Sequence, residues 1–141
     1  PLAAYKEMNV YKLFVLDVGL LGAMSDLDAM SILEGNDIFV EFKGALTEQY
    51  VLQQLISDTP YTPYYYGNEK ATFEQDFLIQ KDVDIVPIEV KAETNLRAKS
   101  LKTYQEKFTP EIAVRTSMAD FKKVDRLVNL PLFAVEQLAE L

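Results

Sequence analysis

Two acidic residues and a lysine, Asp76, Glu89 and Lys91, lie in a stretch whose apolar pattern otherwise indicates buried strands. Residues 73–80 and 85–92 each alternate in polarity, and a short acidic turn separates them. Glu89 and Lys91 are two positions apart, so they share one face of their strand, and Asp76 joins them if the two strands pair. Carboxylate oxygens are the ligands that Mg²⁺ and Mn²⁺ prefer. The spacing therefore predicts a metal site, with Asp76 and Glu89 as ligands.

The chemistry that such a site supports is metal-dependent phosphodiester hydrolysis. The carbonyl of Val90 is a further metal ligand to expect, and Lys91 is placed to orient the attacking water or to stabilise charge on the phosphate. A plainer alternative is a structural ion pair, in which Lys91 neutralises Asp76 or Glu89 at the edge of a sheet. The residues alone leave both alternatives open.

Glu48 is a fourth candidate. Residues 39–57 show the apolar spacing of a helix, and Glu48 falls on the apolar stripe, three positions after Ala45 and four before Leu52. A carboxylate on that face needs a partner or a metal to offset its desolvation. Either Glu48 approaches the hairpin as a further ligand or outer-shell acceptor, or it lies at the edge of the stripe and reaches water.

The other elements are predicted from periodicity and turn residues. Strands are expected at 73–80, 85–92, 111–116 and 130–135, with an aromatic strand formed by Tyr61 and 64–66, and helices at 25–33, 39–57, 95–108 and 135–141. Residues 12–16 form either a strand or the start of a buried segment, and Asp17 is expected to cap the turn that follows. Pro87 predicts an edge position or a bulge just before Glu89. This order indicates one α/β domain over residues 1–141, with a mixed central sheet flanked by helices.

Absent residue types narrow the chemistry. The sequence contains no Cys and no His, which excludes zinc fingers, Cys–His nucleophiles and histidine-ligated metals within it. Its five glycines form no GxxxxGK[ST] or GxGxxG motif, so no nucleotide site is expected in this segment. No stretch approaches the ~18 apolar residues of a membrane span, and no signal peptide is visible. We therefore expect a cytoplasmic protein with no membrane partner.

Charge is distributed unevenly along the chain. Residues 1–90 hold 5 Lys against 15 acidic residues, whereas residues 91–126 hold 9 basic residues against 5 acidic ones, within a net charge of −8. An acidic chain is a poor non-specific nucleic-acid binder, because phosphate neutralisation supplies that affinity. The basic third still offers a local patch, in which Arg97, Lys99 and Lys102 are either phosphate contacts or a solvated helix face.

The order Glu48, then Asp76, then Glu89-Val90-Lys91 resembles the PD-(D/E)xK superfamily of restriction-endonuclease-like phosphodiesterases. Within it, the sequence is most similar to the C-terminal domain of prokaryotic AAA-type ATP-binding proteins. The stretches that carry this resemblance are KLFVLDVGLL (12–21), GALTEQYVLQQL (44–55), EQDFLI (74–79), PIEVKA (87–92) and NLRAKSLKTY (95–104). One departure is that Gln75 stands before Asp76, where the superfamily name has a proline.

This resemblance implies a restriction-endonuclease-like fold and a Mg²⁺- or Mn²⁺-dependent nuclease that acts on DNA. Asp76 and Glu89 would ligate the metal, Lys91 would assist the water, and Glu48 would support them. The resemblance also implies a P-loop ATPase on the N-terminal side of this segment in the same chain, which agrees with a sequence that opens on Pro1. DNA and the ATPase portion are thus expected partners, and the resemblance also allows a homo-oligomer. The alternative is a non-catalytic docking or nucleic-acid-binding module that regulates the ATPase, which the acidic composition favours.

Overall fold

A mixed β-sheet contains the predicted hairpin. The computed structural model describes residues 1–28, 30, 37–67, 73–93 and 97–141, except the side chains of 37–41. Within these ranges the strands are β1 (Tyr64–Tyr66), β2 (Gln75–Lys81), β3 (Asp84–Val90), β4 (Ala113–Ser117), β5 (Lys122–Val124) and β6 (Leu127–Pro131). They pair in the order β1-β2-β3-β4-β6-β5. The β3–β4 and β4–β6 pairs are parallel and the others are antiparallel. The prediction of an α/β fold with a mixed sheet is confirmed.

Helical segments precede, interrupt and follow the strands. Those in the described residues are α1 (Val18–Met24), α2 (Asp37–Asp58), α3 (Lys99–Phe108) and two 3₁₀ segments, Leu2–Tyr5 and Leu132–Glu140. Asp17 caps α1 as predicted, since its Oδ1 accepts a hydrogen bond from the Leu20 N–H at 2.8 Å. In the described part of the chain, no helix has both the length and the apolar character needed to cross a membrane.

The main core lies between the sheet, α2 and the C-terminal 3₁₀ segment. Ile88 pairs with Val114 and Val114 with Val128, so one apolar row crosses three neighbouring strands. Burying each such side chain stabilises the fold by about 1.5–3 kcal/mol, and this fixes which face of each strand turns inward. The buried residues of this core are Val51, Leu55, Phe77, Ile79, Val86, Ile88, Val114, Val128, Leu130, Val135 and Leu138. Separately, α3 packs against β2, β3 and β4 and buries Leu101 and Tyr104.

Residues 12–16 pair with no described strand. Instead, the side chain of Gln49 on α2 takes the place of a neighbouring strand. Its Oε1 accepts from the Val15 N–H at 3.1 Å, and its Nε2 donates to the Val15 carbonyl at 3.0 Å. Gln49 is 2% exposed, so these two bonds fix the N-terminal segment to α2 in one register.

The last third of the chain departs most from its prediction. The strand expected at 130–135 is β6 and ends at Pro131, and a 3₁₀ segment replaces the expected final helix. The polar stretch around 120–126 contains β5, which joins β6 through a tight turn with Asp125 in the left-handed region, at φ 52°. The helix predicted over 25–33 does not begin at Ser25, because residues 25–28 form the turn that follows α1, with Asp26 at φ 53°. Residues 29 and 31–33 of that prediction, and the predicted start of α3 at Asn95, lie outside the described residues.

The prediction for Pro87 is wrong. Pro87 pairs with Leu78 in regular register, and β3 lies between β2 and β4 rather than at an edge. Because the pairing of β3 with β4 begins only at Ile88, the missing N–H of Pro87 falls before that ladder starts. The irregularity lies instead between β1 and β2, where the register shifts between Tyr64 and Tyr66, beside Asp76.

Candidate metal centre

Asp76 is built into the open end of the β2–β3 hairpin. Regular pairing of these strands ends at Phe77 and Ile88. Beyond that pair, the Val90 N–H donates to Oδ2 of Asp76 at 2.8 Å. A backbone N–H in the interior needs a partner, and the hairpin satisfies this one with a carboxylate. The contact fixes Asp76 next to β3, which carries Glu89 and is followed directly by Lys91.

The surroundings of Asp76 disfavour its negative charge. Burial, and then the charge of Glu89, raise the pKa of Asp76 to about 6, although the hydrogen bond from Val90 lowers it. Glu48 raises this pKa further, and Lys12 lowers it. A carboxylate whose pKa is raised by burial and by other carboxylates lies in a place that is short of positive charge. A bound cation would supply that charge.

Glu89 is buried and held at both oxygens. Its Oε1 lies 2.7 Å from Nζ of Lys91, and its Oε2 accepts a hydrogen bond from Nε2 of Gln75 at 3.0 Å. Its side chain is 7% exposed, whereas that of Lys91 is 31% exposed. Glu89 and Lys91 therefore share a face as predicted, and the ion pair that was the plainer alternative is present between these two residues.

Gln75 is a site residue that the sequence reasoning missed. It is fully buried, and its Oε1 has no hydrogen-bond partner among the described residues, while its Nε2 bonds to Glu89. An unpaired carbonyl oxygen in the interior costs about 1–3 kcal/mol, so a ligand or a water at this oxygen would stabilise the fold. The one available signal was a polar residue at the start of a strand, directly before Asp76.

Glu48 is half-buried and pairs with a lysine from the N-terminal segment. The distance between its Oε1 and Nζ of Lys12 is 2.7 Å, with 25% and 27% of the two side chains exposed. Burial alone would lower the pKa of Lys12, but the hydrogen bond and the charge of Glu48 raise it above the ordinary value. Lys12 also lies over the ring of Tyr65, 5.4 Å from its centroid. In the structure, Lys12 is what offsets the desolvation of Glu48.

Comparison with protein families assigns the chain to one of them. The DUF4143 family, described as a domain of unknown function, matches residues 43–134, which is more than half of the chain. The chain belongs to the DUF4143 family. No curated protein and no solved structure matches it at a significant level. The matched range of this DUF4143 domain includes Glu48, Asp76, Glu89 and Lys91, whereas Lys12 lies before it.

In the DUF4143 domain, the pKa of Asp76 is thus raised by burial and by two carboxylates that each pair with a lysine. Glu89 and Lys91 form one pair, and Glu48 and Lys12 form the other. No three acidic side chains surround one point in the part of the chain that the structure describes. The donor set for a hard cation is the two carboxylates of Asp76 and Glu89, and the amide of Gln75 contacts Glu89 through Nε2. Val90 contributes its N–H, and the role of its carbonyl stays a prediction.

The three predicted phosphate contacts of the DUF4143 domain lie at the surface. Arg97 is exposed just before α3, and Lys99 is exposed in its first turn. Lys102 is 78% exposed and lies 3.8 Å from Glu106. Lys107, at the other end of α3, packs over aromatic rings instead. The exposure of these side chains suits a solvated face and a phosphate track equally, so their role stays a prediction.

Proposed function

We propose that this DUF4143 domain is a Mg²⁺- or Mn²⁺-dependent nuclease of the PD-(D/E)xK type, with a restriction-endonuclease-like fold, that hydrolyses phosphodiester bonds in DNA. The observation that carries the proposal is the partly buried Asp76 on β2 and the buried Glu89 on the paired strand β3, with Lys91 in contact with Glu89. Besides burial, the charge of Glu89 raises the pKa of Asp76, and a cation bound to both carboxylates would remove that repulsion. The orphaned Oε1 of Gln75 beside Glu89 supports a ligand at this place.

Each side chain has a role in this proposal. Asp76 and Glu89 would hold the cation, and the hydrogen bonds from Val90 and Gln75 would fix the orientation of their carboxylates. The chemistry that such a cation supplies is activation of a water molecule and neutralisation of phosphate charge. Lys91 is partly exposed, so its ammonium group would stabilise the negative charge that develops on the phosphate.

The wider setting is part of the same proposal. In the domain organisation that the sequence resembles, an ATPase portion in the same chain would load DNA or control access to the site. The protein would act in the cytoplasm. The basic residues Arg97, Lys99 and Lys102 would contact phosphates beside the hairpin, which offsets locally the acidity of the chain as a whole.

A calorimetric titration with Mn²⁺ tests the site. The wild-type chain is expected to bind one Mn²⁺, and Asp76→Asn to lose at least about tenfold in affinity, because a carboxylate ligand becomes a neutral amide. The matched control is Asp82→Asn, the same change in the exposed turn of the same hairpin. Asp82 has φ 55°, a conformation that Asn tolerates, so this variant should bind Mn²⁺ as the wild type does.

Cleavage assays on single-stranded, duplex and branched DNA follow. Asp76→Asn, Glu89→Gln and Lys91→Ala are each expected to abolish Mn²⁺-dependent cleavage while the domain remains folded by circular dichroism. Cleavage at the wild-type rate by all three variants would refute the proposal. So would Mn²⁺ titrations of wild type and Asp76→Asn that cannot be told apart.

A second candidate is a non-catalytic docking module for the ATPase. The observation that favours it is a run of exposed apolar side chains near the N-terminus, which are Tyr5, Met8, Tyr11, Leu13 and Leu16. Salt dependence distinguishes the two functions. A DNA-binding nuclease loses DNA affinity steeply as salt rises, whereas an acidic protein-docking module binds no DNA at any salt concentration.

A further inference from the structure

A tyrosine-lined groove lies beside the candidate metal centre, and the proposed roles of Asp76, Glu89 and Lys91 leave it without a function. Its volume is about 920 Å³, a size at which concave, mostly apolar sites hold ligands. One wall is the N-terminal segment, and the other is formed by α2, residues 59–67 and part of β2. Among the described residues, six tyrosines line the groove, and they are Tyr5, Tyr11, Tyr61, Tyr64, Tyr65 and Tyr66.

The N-terminal wall of this groove is fastened at both ends. The Leu2 N–H donates to Oε1 of Gln80 on β2 at 2.7 Å. At the other end, Val15 is bonded at its N–H and its carbonyl by Gln49 on α2. The aromatic rings of the segment are therefore placed before a ligand binds, which lowers the conformational cost of binding.

The groove is less acidic than the part of the chain that forms it. Residues 1–90 contain 5 Lys and 15 acidic residues, yet the described charged side chains that line the groove are Lys6, Lys12 and Glu7. Lys12 lies over β1, with its Nζ 5.4 Å from the ring centroid of Tyr65, and it also pairs with Glu48. Lysines beside tyrosine rings favour a ligand that is negatively charged along its length and carries flat rings.

The strand β1 connects the groove with the candidate metal centre. Tyr64 pairs with Leu78, and Tyr66 pairs with Gln75, so Asp76 lies on β2 between the partners of two groove residues. A chain bound along β1 therefore passes beside Asp76. Single-stranded DNA has both of the required chemical features, because its phosphates are negative and its unpaired bases offer their flat faces for stacking on aromatic side chains.

We propose that this groove binds a single-stranded segment of the DNA substrate, with its bases stacked on the groove tyrosines, so that the domain acts on DNA with an unpaired strand. That the ligand is DNA rests on the proposed function. Proline-rich peptides also dock on aromatic grooves, but they offer no negative charge to Lys6 and Lys12. Tyr5 and Tyr11 precede the DUF4143 match, so this part of the strand preference belongs to the N-terminal segment.

Fluorescence anisotropy with the full chain in EDTA measures binding to the groove without the metal site. The probes are a short labelled single strand, the same strand with abasic sites in place of its bases, and the same strand in a duplex. The abasic strand keeps the phosphates and loses the stacking. We expect the single strand to bind at least about tenfold more tightly than the abasic strand, since each stacked base contributes roughly 5- to 150-fold. The duplex should also bind more weakly than the single strand.

A double variant removes two rings from the groove. Tyr5 and Tyr11 are 81% and 74% exposed, so Tyr5→Leu/Tyr11→Leu should fold normally. We expect it to lose at least about fivefold in affinity for the single strand and to bind the abasic strand as the wild type does. The matched control is Phe121→Leu/Phe133→Leu, which removes two exposed rings outside the groove and should bind the single strand as the wild type does.

The outcomes separate this inference from the proposed function. Equal affinity for the single strand and the abasic strand overturns base stacking, and so does an equal loss in the two double variants. No binding of the single strand overturns the inference as well, including the case in which a proline-rich peptide binds the groove instead. Mn²⁺-dependent cleavage of duplex DNA then leaves the proposed function standing. Conversely, if Mn²⁺ binding and cleavage fail while single-strand binding responds to Tyr5→Leu/Tyr11→Leu, the nuclease is refuted and the role of the groove is supported.

Discussion

The ionised carboxylate of Asp76 is partly buried beside other carboxylates, at a cost to the stability of the folded state. The pKa of Asp76 is about 6 because of burial and the charge of Glu89, against 3.8 for an unperturbed Asp. Because the pKa of Asp76 is higher in the folded than in the unfolded state, protonated Asp76 stabilises the fold. This contribution to the free energy of unfolding is fully present below pH ~4 and is lost as pH rises through ~6. In the absence of a divalent cation, the ionised group therefore destabilises the neutral-pH protein.

Replacing Asp76 by Asn should reveal that cost. Asn keeps an acceptor for the Val90 N–H but carries no charge. At about 1.36 kcal/mol per pKa unit, we expect Asp76→Asn to raise the free energy of unfolding at pH 7.5 by about 1–3 kcal/mol, with little difference at pH 4. Urea denaturation with EDTA across this pH range measures it, with Asp82→Asn as the control. A variant that is less stable than the wild type at pH 7.5 would show that the charge of Asp76 is already compensated.

At the residue scale, what could be predicted depended on separation along the chain. Glu89 and Lys91 share a face because strands alternate, and this local rule needs no tertiary information. The contact between Lys12 and Glu48 spans 36 positions, and no periodicity relates the two residues. Gln75 was not predicted as a site residue for a different reason. The pairing of β1 with β2 shifts register beside Gln75, and such a shift disturbs the alternation from which the orientation of its side chain would be inferred.

At the scale of elements, the Gln49 amide joins the N-terminal segment to α2. Gln49→Leu removes both bonds to Val15 and leaves a backbone N–H and carbonyl to find water. The expected loss in the free energy of unfolding is about 1–3 kcal/mol, together with faster hydrogen exchange at the Val15 amide. Gln53→Leu, which removes the hydrogen bond from the Val18 N–H to a more exposed glutamine, should cost less. Equal exchange at Val15 in wild type and Gln49→Leu would show that the segment is held by other contacts.

Secondary-structure elements with long apolar periods were predicted from the sequence, whereas short elements without a buried face were not. The hairpin and α2 have long, regular apolar periods, and both lie where they were predicted. β5 consists of Lys122, Lys123 and Val124, all exposed, so it has no buried face to produce an alternating pattern. It forms because β6 offers an edge to pair with, and its charged side chains suit an edge strand. Residues 12–16 have an apolar strand pattern, yet they pair with no described strand, and the side chain of Gln49 bonds to the backbone of Val15 instead.

At the scale of the whole molecule, the distribution of charge predicts where the proposed DNA substrate would bind. The chain carries a net charge of −8, with its basic residues concentrated in 91–126. β5 with Lys122 and Lys123 lies at one edge of the sheet, while α3 with Lys99 and Lys102 packs against β2, β3 and β4, which include the strands of the candidate site. If the proposed function is correct, the lysines of α3 matter for DNA and those of β5 do not.

Two double variants of equal charge test this asymmetry. Lys99→Gln/Lys102→Gln should weaken DNA binding in the presence of Mn²⁺ and reduce the slope of log affinity against log salt by about one to two, since each phosphate contact contributes about 0.9. Lys122→Gln/Lys123→Gln removes the same charge at the far edge and should leave the slope unchanged. Both should bind Mn²⁺ as the wild type does. An equal fall in slope for the two variants would mean that DNA senses only total charge, and no DNA binding by the wild type at any salt concentration would favour the docking module.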